Sequence, residues 1–333
     1  MKEGNLINTA LENFQRRTGI KTKWEGEKLP EKIDGILDFT YDGKKHKAII
    51  EAKSEIRGHQ LPALIELRDK YETVVVIAEY IFPKIKEQLR ELGIGYIEKN
   101  GNTFYKKANI FLWLEDQKTA TPEKDKTGRA FTKTGLKLVF HFLLEEPLVN
   151  LTYRQLAERT KIGFGNINFI MTDLKEQGFL LQVNKDRFKL NRKKQLLEKW
   201  MVGYEQKLKP ALVIDTFRFL NQDDFIHWQK LKLRQGHTFW GGEPAAQKLT
   251  NYLRPGELTM YTLEKRMELT KNYKLVPGEN GNVKVFQKFW NNNENDKQIA
   301  PPLLVYVDLM LTGDRRCIET AEKIYNEYLQ NQF

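Results

Sequence analysis

The stretch KIDGILDFTYDGKKHKAIIEAK, residues 32–53, predicts a β-hairpin. Asp42-Gly43 is a strong signal for a two-residue turn between antiparallel strands. The segments on either side, residues 33–40 and 46–52, are rich in β-branched and apolar residues, as strands are. We therefore take this hairpin as the centre of the first domain.

Two acidic residues and a lysine meet at one end of the predicted hairpin. Glu51 and Lys53 are two positions apart on the second strand, so their side chains project from one face. Pairing through the turn brings Asp34, at the far end of the first strand, towards them. Two carboxylates suit a divalent cation such as Mg²⁺ or Mn²⁺, and the lysine can orient water or stabilise a phosphate. The alternative is a solvated strand end, because a Glu-x-Lys triplet also arises by chance.

Composition limits the classes of protein to which the chain can belong. The chain has 333 residues, 30% of them charged, and a formal net charge of +11, which favours a polyanionic partner. One cysteine, Cys317, excludes an internal disulfide framework. No stretch approaches the roughly 20 apolar residues of a membrane helix. We expect a soluble, cytoplasmic protein of two or three domains that does not enter a membrane.

The first 117 residues alternate between helical and strand patterns. Apolar periodicity predicts the first helix at residues 6–17, and TVVVIA at residues 73–78 predicts a buried central strand. The further expected elements are strands at residues 20–24, 33–40, 46–52, 94–97, 103–105 and 110–114, and helices at residues 60–70 and 83–92. The predicted order is helix, three strands, helix, strand, helix, strand.

This order, with Asp34 opening the second strand and Glu51-Ala52-Lys53 closing the third, resembles the restriction-endonuclease-like PD-(D/E)xK superfamily. The resemblance implies that Asp34 and Glu51 are metal ligands and that Lys53 is the catalytic lysine. It implies hydrolysis of DNA with Mg²⁺ or Mn²⁺. Ile33 stands where the motif name has proline, and Asp38 is an alternative first ligand. Auxiliary roles would fall to Gln60 in the following helix and Glu12 in the first.

The segment after this domain predicts a linker and then a winged helix-turn-helix. Residues 116–133 are charged and rich in Pro and Thr, so a linker is expected at residues 118–132. Apolar periodicity then predicts three helices and two short strands, at residues 136–144, 150–160, 166–177, 179–183 and 187–190. Thr152 is the expected N-cap of the second helix, and Gly178 is expected to close the third.

The predicted winged helix-turn-helix offers candidate DNA contacts. The helix at residues 166–177, the second of the helix-turn-helix, directs Asn166, Asn168, Phe169, Thr172 and Lys175 outwards. Asparagine can read an adenine edge. The turn and wing place Lys161, Lys185 and Arg187 where they would meet phosphates. The alternative is a protein-protein module, because Asp173 and Glu176 would repel DNA if they faced it.

The last third of the chain predicts an α+β domain, with strands at residues 258–263 and 283–289 and a helical pair at residues 302–333. A helix at residues 196–207 is expected to end before Pro210. Gly241-Gly242 before a helix is similar to the turn of nucleotidyltransferase folds. One interpretation is therefore a degenerate nucleotidyltransferase-like fold. The following strand lacks the paired Asp of that chemistry, so a packing turn is favoured.

Taken whole, the chain resembles the AbiEi-like antitoxins and transcriptional regulators of type IV toxin-antitoxin systems. The signatures are residues 134–137 (TGLK), 151–157 (LTYRQLA), 240–246 (WGGEPAA), 303–309 (LLVYVDL) and 312–314 (TGD). The resemblance implies a bacterial repressor or defence protein that binds double-stranded DNA. It also implies a cognate nucleotidyltransferase-like toxin, and a homodimer is considered as the assembly.

The sequence thus predicts an α/β and α+β multidomain protein. Its segments are a restriction-endonuclease-like domain, a linker, a winged helix-turn-helix and a C-terminal α+β domain, at residues 1–117, 118–132, 133–195 and 196–333. Two functions remain open. One is a metal-dependent DNA endonuclease targeted by its winged helix, and the other is an antitoxin-type repressor whose nuclease-like domain is silent.

Overall fold

A computed structural model describes most of the chain, namely residues 2–26, 33–56, 58–71, 73–107, 110–117, 128–184, 187–291 and 298–333. The chain divides into two compact units, residues 1–125 and 126–333. In the described part, no helix is both long and apolar enough to cross a membrane. The protein is a mixed α/β multidomain structure with several sheets, as expected.

The first unit has the predicted order of helices and strands, with small shifts at the ends. Its elements are α1 (Lys2–Thr18), β1 (Thr22–Glu25), β2 (Gly35–Tyr41), β3 (Lys44–Ile56), α2 (Leu61–Tyr71), β4 (Val74–Ile81), α3 (Pro83–Glu91), β5 (Gly95–Glu98), β6 (Thr103–Lys107) and β7 (Ile110–Leu114). A short 3-10 helix, Gly58–Gln60, precedes α2.

The seven strands form one sheet in chain order, β1 to β7. The central pairs β3–β4 and β4–β5 are parallel, and the outer pairs are antiparallel. One apolar core joins α1 to one face of the sheet, and a second core joins α2 and α3 to the other. Because both faces are covered, the central strand β4 is apolar almost throughout.

The hairpin at the centre of this sheet is the predicted one. Strands β2 and β3 pair antiparallel from Tyr41↔Lys44 at the turn to Gly35↔Ile50 at the open end. Asp42 and Gly43 both adopt positive φ, 48° and 72°, which a two-residue type I′ turn requires. The Asp-Gly turn is confirmed, and its register brings Asp34 next to Glu51 and Ala52. Lys53 does not close the strand as expected, because β3 continues along β4 to Ile56.

The second unit begins with helices and ends in an α+β layer. Its elements are α4 (Lys133–Leu144), α5 (Tyr153–Thr160), α6 (Phe164–Glu176), β8 (Leu180–Asn184), β9 (Arg187–Leu190), α7 (Lys193–Gly203), α8 (Lys209–Leu212), β10 (Val213–Phe219), α9 (Asp223–Ile226), β11 (Thr238–Gly241), α10 (Gly242–Thr250), β12 (Leu258–Thr262), α11 (Arg266–Tyr273), β13 (Leu275–Pro277), β14 (Val283–Gln287), α12 (Pro302–Met310) and α13 (Arg315–Ile324).

Helices α4, α5 and α6 pack together, and the antiparallel pair β8–β9 follows them. The Thr152 hydroxyl accepts from the Gln155 N–H and forms a capping box, so the predicted N-cap is confirmed. Gly178 follows α6 with φ of 70°, as a closing glycine does. A short turn that starts at Lys161, in the left-handed conformation, separates α5 from α6.

The remaining strands form a five-stranded mixed sheet in the order β11-β12-β14-β10-β13. One continuous core runs from Ala130 through the helices to Leu329. Segments on both sides of residue 195 contribute to it, so the predicted boundary at 195/196 lies inside one compact unit. Separate folding of the two segments stays a prediction.

Three details differ from the expectations. Pro210 does not end its helix, because the π turn Tyr204–Leu208 carries α7 into α8 with Pro210 in its first turn. The linker is shorter at its C-terminal end, because Ala130 and Phe131 lie in a short 3-10 helix packed in the core. Residues 118–127 of the linker lie outside the described residues. Strands β10 and β13 and helix α11 were not predicted.

Candidate functional site

The end of the central hairpin brings Asp34, Glu51 and Lys53 together, and we call these three residues the acidic cluster. Lys53 Nζ lies 2.9 Å from Glu51 Oε1. The same nitrogen lies 3.9 Å from Asp34 Oδ2. The three side chains are 14%, 24% and 37% exposed for Glu51, Asp34 and Lys53, respectively, so the cluster is sheltered but reachable from solvent.

The backbone of the hairpin fixes this geometry. Asp34 lies one residue before β2, and its N–H donates to the Ile50 carbonyl at 3.0 Å. The Ala52 N–H donates to Asp34 Oδ2 at 2.7 Å. Glu51 and Lys53 share one face of β3, while Ala52 packs with α1 on the other. Strand β3 therefore presents Glu51 and Lys53 on one face, and its main-chain N–H at Ala52 holds the Asp34 carboxylate beside them.

A glycine makes the close approach at this end of the hairpin feasible. A Cβ on Gly35, directly after Asp34, would lie 2.9 Å from the Trp24 ring and 3.1 Å from the Glu25 carbonyl oxygen. Real Cβ atoms essentially never come as close to another atom as 2.9 Å, so a larger residue would require the Trp24 ring or β1 to shift. Gly35 thus lets β1 cover the strand that follows Asp34.

The other acids and the glutamine named from the sequence lie on β2, on α1 and just before α2. Asp38 pairs with Lys47 across the hairpin, Nζ to Oδ1 at 3.4 Å, and lies four residues along β2 from Asp34, about 13 Å at 3.3 Å per residue. Asp34, not Asp38, is therefore the aspartate next to Lys53, and its role as a ligand stays a prediction. Gln60 is the last residue of the 3-10 helix after β3, and Glu12 is exposed on α1.

Asp34 and Glu51 fit a partial ligand set for a divalent cation. Carboxylate oxygens suit Mg²⁺, which is often bound by one or two carboxylates and keeps several waters. Among the residues that the structure describes, no group of three or more His, Cys, Asp or Glu side chains is arranged to hold a metal ion. Further ligands at this site would be water, main-chain carbonyls or substrate.

A buried acid on the same sheet face was missed by the sequence analysis. Lys53, Ala78 and Glu98 are register partners on β3, β4 and β5, so they lie in one row. The Glu98 carboxylate accepts from the Ile81 N–H and from Lys86 Nζ, each at 2.8 Å. Because Lys86 belongs to α3, this ion pair anchors the helix to the sheet beside the cluster. An ion pair between a helix and a strand leaves no periodic pattern in the sequence, so the sequence analysis could not predict it.

In the second unit, the candidate DNA contacts are on the exposed side of α6 and on the β8–β9 hairpin, which we call the α6–hairpin surface. The buried stripe of α6 is Ile167, Ile170, Met171 and Leu174, as its periodicity predicts. The predicted contact residues with described positions are all exposed, namely Lys161, Asn166, Asn168, Thr172, Lys175 and Arg187. The predicted contact Lys185 lies outside the described residues.

Asp173, one of the acids expected to repel DNA, is engaged by its own chain. Its Oδ2 accepts from the Ala130 N–H at 2.8 Å, and its Oδ1 accepts from Gln177 Nε2 at 2.8 Å. Glu176 is exposed at the last residue of α6. The Asp173 contact also brings Arg129 to α6, where its guanidinium lies 5.7 Å from the centre of the Phe169 ring. Arg129 was assigned to the linker and was therefore not considered as a candidate.

Side-chain contacts hold the hairpin against the helices. Asn150 exchanges two hydrogen bonds with the backbone of Phe188 on β9. Lys175 Nζ lies 4.1 Å from the centre of the Phe188 ring, which links α6 to the hairpin by a cation–π contact. The Leu190 N–H donates to Glu146 Oε1 at 3.1 Å. The α6–hairpin surface is therefore a preorganised pair of elements.

The Gly241-Gly242 turn is filled by its own chain. A Cβ on Gly241 would lie 2.4 Å from the Tyr261 ring, and one on Gly242 would lie 2.8 Å from the Thr259 hydroxyl. Gly242 also has a positive φ of 45°. Both glycines are thus required by the packing of β12 against the start of α10, which agrees with the packing interpretation favoured from the sequence.

A buried polar network lies under the same sheet. Asp308 accepts from Tyr204, Tyr261 and Lys209 at 3.1, 2.7 and 2.7 Å, and the two tyrosine hydroxyls lie 2.6 Å apart. Burial, followed by the charge of Asp308, raises the pKa of both tyrosines well above the usual value. The tyrosines therefore stay protonated and donate, and the network ties α7, α8, β12 and α12 together.

Comparison with known families gives one match. Residues 189–330 match the model of a family described as transcriptional regulator, AbiEi antitoxin, type IV TA system. The matched segment is less than half of the chain and contains the five-stranded sheet and the Asp308 network, while α4, α5, α6 and the whole first unit lie before it. No curated protein and no solved structure matches the chain at a significant level.

Proposed function

We propose that this protein is a DNA-binding transcriptional regulator of the AbiEi antitoxin type. The proposal rests chiefly on the α6–hairpin surface, which presents exposed amides and cations on two elements that the fold holds together. Helix α6 would enter the major groove as the recognition helix of a winged helix-turn-helix, with its N-terminal residues towards the bases. The hairpin would be the wing.

Charge and family similarity support this function. The chain carries a net charge of +11, and neutralising phosphates supplies most non-specific affinity for DNA. The family matched by residues 189–330 is described as a transcriptional regulator and antitoxin. In our proposal residues 189–330 carry the function of that family. A cognate nucleotidyltransferase-like toxin remains an expectation from the resemblance.

Binding to the DNA immediately upstream of its own gene tests the proposal. We expect the full chain to shift this duplex in competition with unrelated DNA, and a variant with Lys161→Ala, Lys175→Ala and Arg187→Ala to lose the shift. Lys271→Ala, an exposed lysine on α11, is the matched control and should bind as the wild type does. Specific binding that survives the triple change would exclude the α6–hairpin surface as the reader.

A second candidate function is metal-dependent cleavage of DNA by the first unit. The observation in its favour is that Lys53 Nζ lies within 3.9 Å of both Glu51 and Asp34. Together with the element order, this arrangement resembles the PD-(D/E)xK nucleases. A divalent cation bound by Asp34 and Glu51 would offset the charge that develops on a phosphodiester during hydrolysis. Lys53 would position the water or the phosphate.

The two candidates are separated by incubating the full chain with plasmid DNA and Mg²⁺ or Mn²⁺. A nuclease would nick the plasmid, and Lys53→Ala and Glu51→Gln would each abolish nicking while upstream DNA is still bound. Cleavage that is unchanged in both variants would come from elsewhere. Upstream binding without cleavage in the wild type would favour the regulator with a silent acidic cluster.

A further inference from the structure

The N-terminal part of α6 has an unusual exposed stripe. Gly165, Asn168, Phe169 and Thr172 follow the i, i+3, i+4, i+7 spacing of one helix face, opposite the buried stripe. The sequence of α6 from Phe164 to Thr172, FGNINFIMT, contains no charged residue. Arginine and lysine are the side chains that read guanine in the major groove. Residues 164–172 of α6 therefore lack the usual guanine readers, and Arg129, from outside the helix, lies beside them at the Phe169 ring.

Phe169 lies at the centre of this stripe and is 57% exposed. Its ring has the Arg129 guanidinium on one side at 5.7 Å, which sets a positive charge beside it. Removing a large apolar ring from water is favourable, and this gain is obtained only when a partner covers the ring. In the major groove, the apolar partner available to a phenylalanine is the C5-methyl group of thymine.

Gly165 leaves open space on the same face, one turn before Phe169. A Cβ built on Gly165 would meet no atom of the chain within 4 Å. The internal packing therefore does not require a glycine at this position, in the first turn of α6. Open space at this position, one turn before Phe169, suits the close approach of a base-pair edge.

Asn168 supplies the polar group of the stripe. It is exposed and directly precedes Phe169. Asparagine pairs with the N6 and N7 atoms of adenine through two hydrogen bonds. The Asn168 amide and the Phe169 ring lie side by side, so they match an adenine edge and a thymine methyl group in one A·T pair or in adjacent A·T pairs.

We infer that α6 reads A·T base pairs, with Asn168 on an adenine edge and Phe169 against a thymine methyl group. This inference rests on the proposed function and adds the base identity to it. Lys161, Lys175 and Arg187 fix the position of the helix through phosphates and are indifferent to sequence. In this inference Arg129 stays against the Phe169 ring, and the uncharged residues of α6 itself disfavour G·C pairs.

The test begins with duplexes that the full chain selects from a random-sequence pool. Each thymine of the selected site is then replaced by uracil, which lacks the C5-methyl group. At one or two positions we expect the wild type to lose about fourfold in affinity, the loss for one buried methyl group. Phe169→Ala should bind the thymine and uracil duplexes equally well.

Two controls make the result specific to the ring. Lys175→Ala should weaken binding to both duplexes by the same factor, because a phosphate contact does not sense the methyl group. Thermal unfolding of Phe169→Ala should match the wild type, since the ring is exposed. A selected site with G·C pairs at the contacted positions, or a Phe169→Ala variant that still discriminates uracil, overturns the inference.

The outcomes also separate this inference from the proposed function. Salt-sensitive binding to duplexes with G·C-rich sites, weakened by Lys175→Ala, leaves the regulator standing and removes only the base assignment. A chain that binds no duplex at all contradicts both. If Phe169 instead covers a protein partner, Phe169→Ala leaves the affinity for every duplex unchanged, which also overturns the inference.

Discussion

Asn150 and Phe188 exchange two hydrogen bonds across the second unit. The Phe188 N–H donates to Asn150 Oδ1 at 2.7 Å, and Asn150 Nδ2 donates to the Phe188 carbonyl oxygen at 3.1 Å. A single side chain, in the segment before α5, thus completes the edge of β9 as a neighbouring strand would. This contact holds the hairpin against the helices together with Lys175 at the Phe188 ring and Glu146 at the Leu190 N–H.

Asn150→Ala should therefore free the hairpin without unfolding the unit. Each lost hydrogen bond contributes about 1 kcal/mol, so we expect the Phe188 amide to exchange with solvent roughly tenfold faster or more. Hydrogen exchange measured by NMR checks this. Thr152→Ala removes the cap of α5 and costs about 1 kcal/mol, yet it should leave the Phe188 amide protected. Equal effects of the two variants would contradict the account.

The acidic cluster predicts a stabilising effect of divalent cations. A ligand at about 100 times its Kd stabilises the folded state by about 2.7 kcal/mol. We expect Mg²⁺ or Mn²⁺ to raise the unfolding temperature of the first transition, and we expect Asp34→Asn with Glu51→Gln to abolish the shift. Asp38→Asn, on the same hairpin, is the control that should keep it. An identical shift in all three proteins would place the cation elsewhere.

Lys288 predicts a dependence of stability on alkaline pH. Burial lowers its pKa from 10.5 to about 8, although its ammonium donates to the Trp290 carbonyl oxygen at 2.8 Å. Between these pH values the unfolded chain binds the proton and the folded chain does not. The free energy of unfolding therefore falls as pH drops from about 10.5 to about 8 and is constant below.

Replacing this lysine should remove that dependence. At pH 7 Lys288→Met should be more stable than the wild type, by up to about 3 kcal/mol for a shift of this size. Denaturant unfolding at pH 7 and pH 10 measures the difference. Lys284→Met is the control, because Lys284 lies on β14, which ends directly before Lys288, but is half exposed beside Glu257. A difference between wild type and Lys288→Met that does not change with pH would refute the burial argument.

Asp308 predicts a large loss of stability in the matched C-terminal segment. Asp308→Ala leaves Lys209 and two buried tyrosine hydroxyls without their acceptor, and breaking a buried charge pair costs about 3–5 kcal/mol. Asp314→Ala removes the cap of α13 and an exposed ion pair with Arg316, and it should cost about 1 kcal/mol. Urea unfolding of both variants compares them. Similar losses would mean that the network adds little beyond a surface cap.

Local patterns were enough to predict the parts of the fold that form from neighbouring residues. Asp42-Gly43 specified the hairpin turn because two successive left-handed residues are required there. The buried stripe of α6 followed from its 3.6-residue period. The register of the hairpin then brought Asp34 to Glu51 and Lys53, so the acidic cluster could be found from sequence.

Contacts between distant segments could not be predicted in this way. Strand β10 pairs with β13 and β14, which come more than 50 residues later, and three of its residues are polar. The Asp173 carboxylate is held by the N–H of Ala130, 43 residues earlier in the chain. Lys86 pairs with Glu98 only because α3 packs over the sheet. Pro210 was misjudged because a π turn before it changes the backbone pattern.

The central claim is that the α6–hairpin surface binds duplex DNA. The salt dependence of DNA binding tests this claim most directly. Each phosphate contact contributes about 0.9 to the slope of log K against log salt concentration. Anisotropy titrations should give slopes that fall by about 0.9 for Arg187→Ala and for Lys161→Ala. The Lys271→Ala control should keep the wild-type slope. Parallel lines for all four proteins would contradict the account.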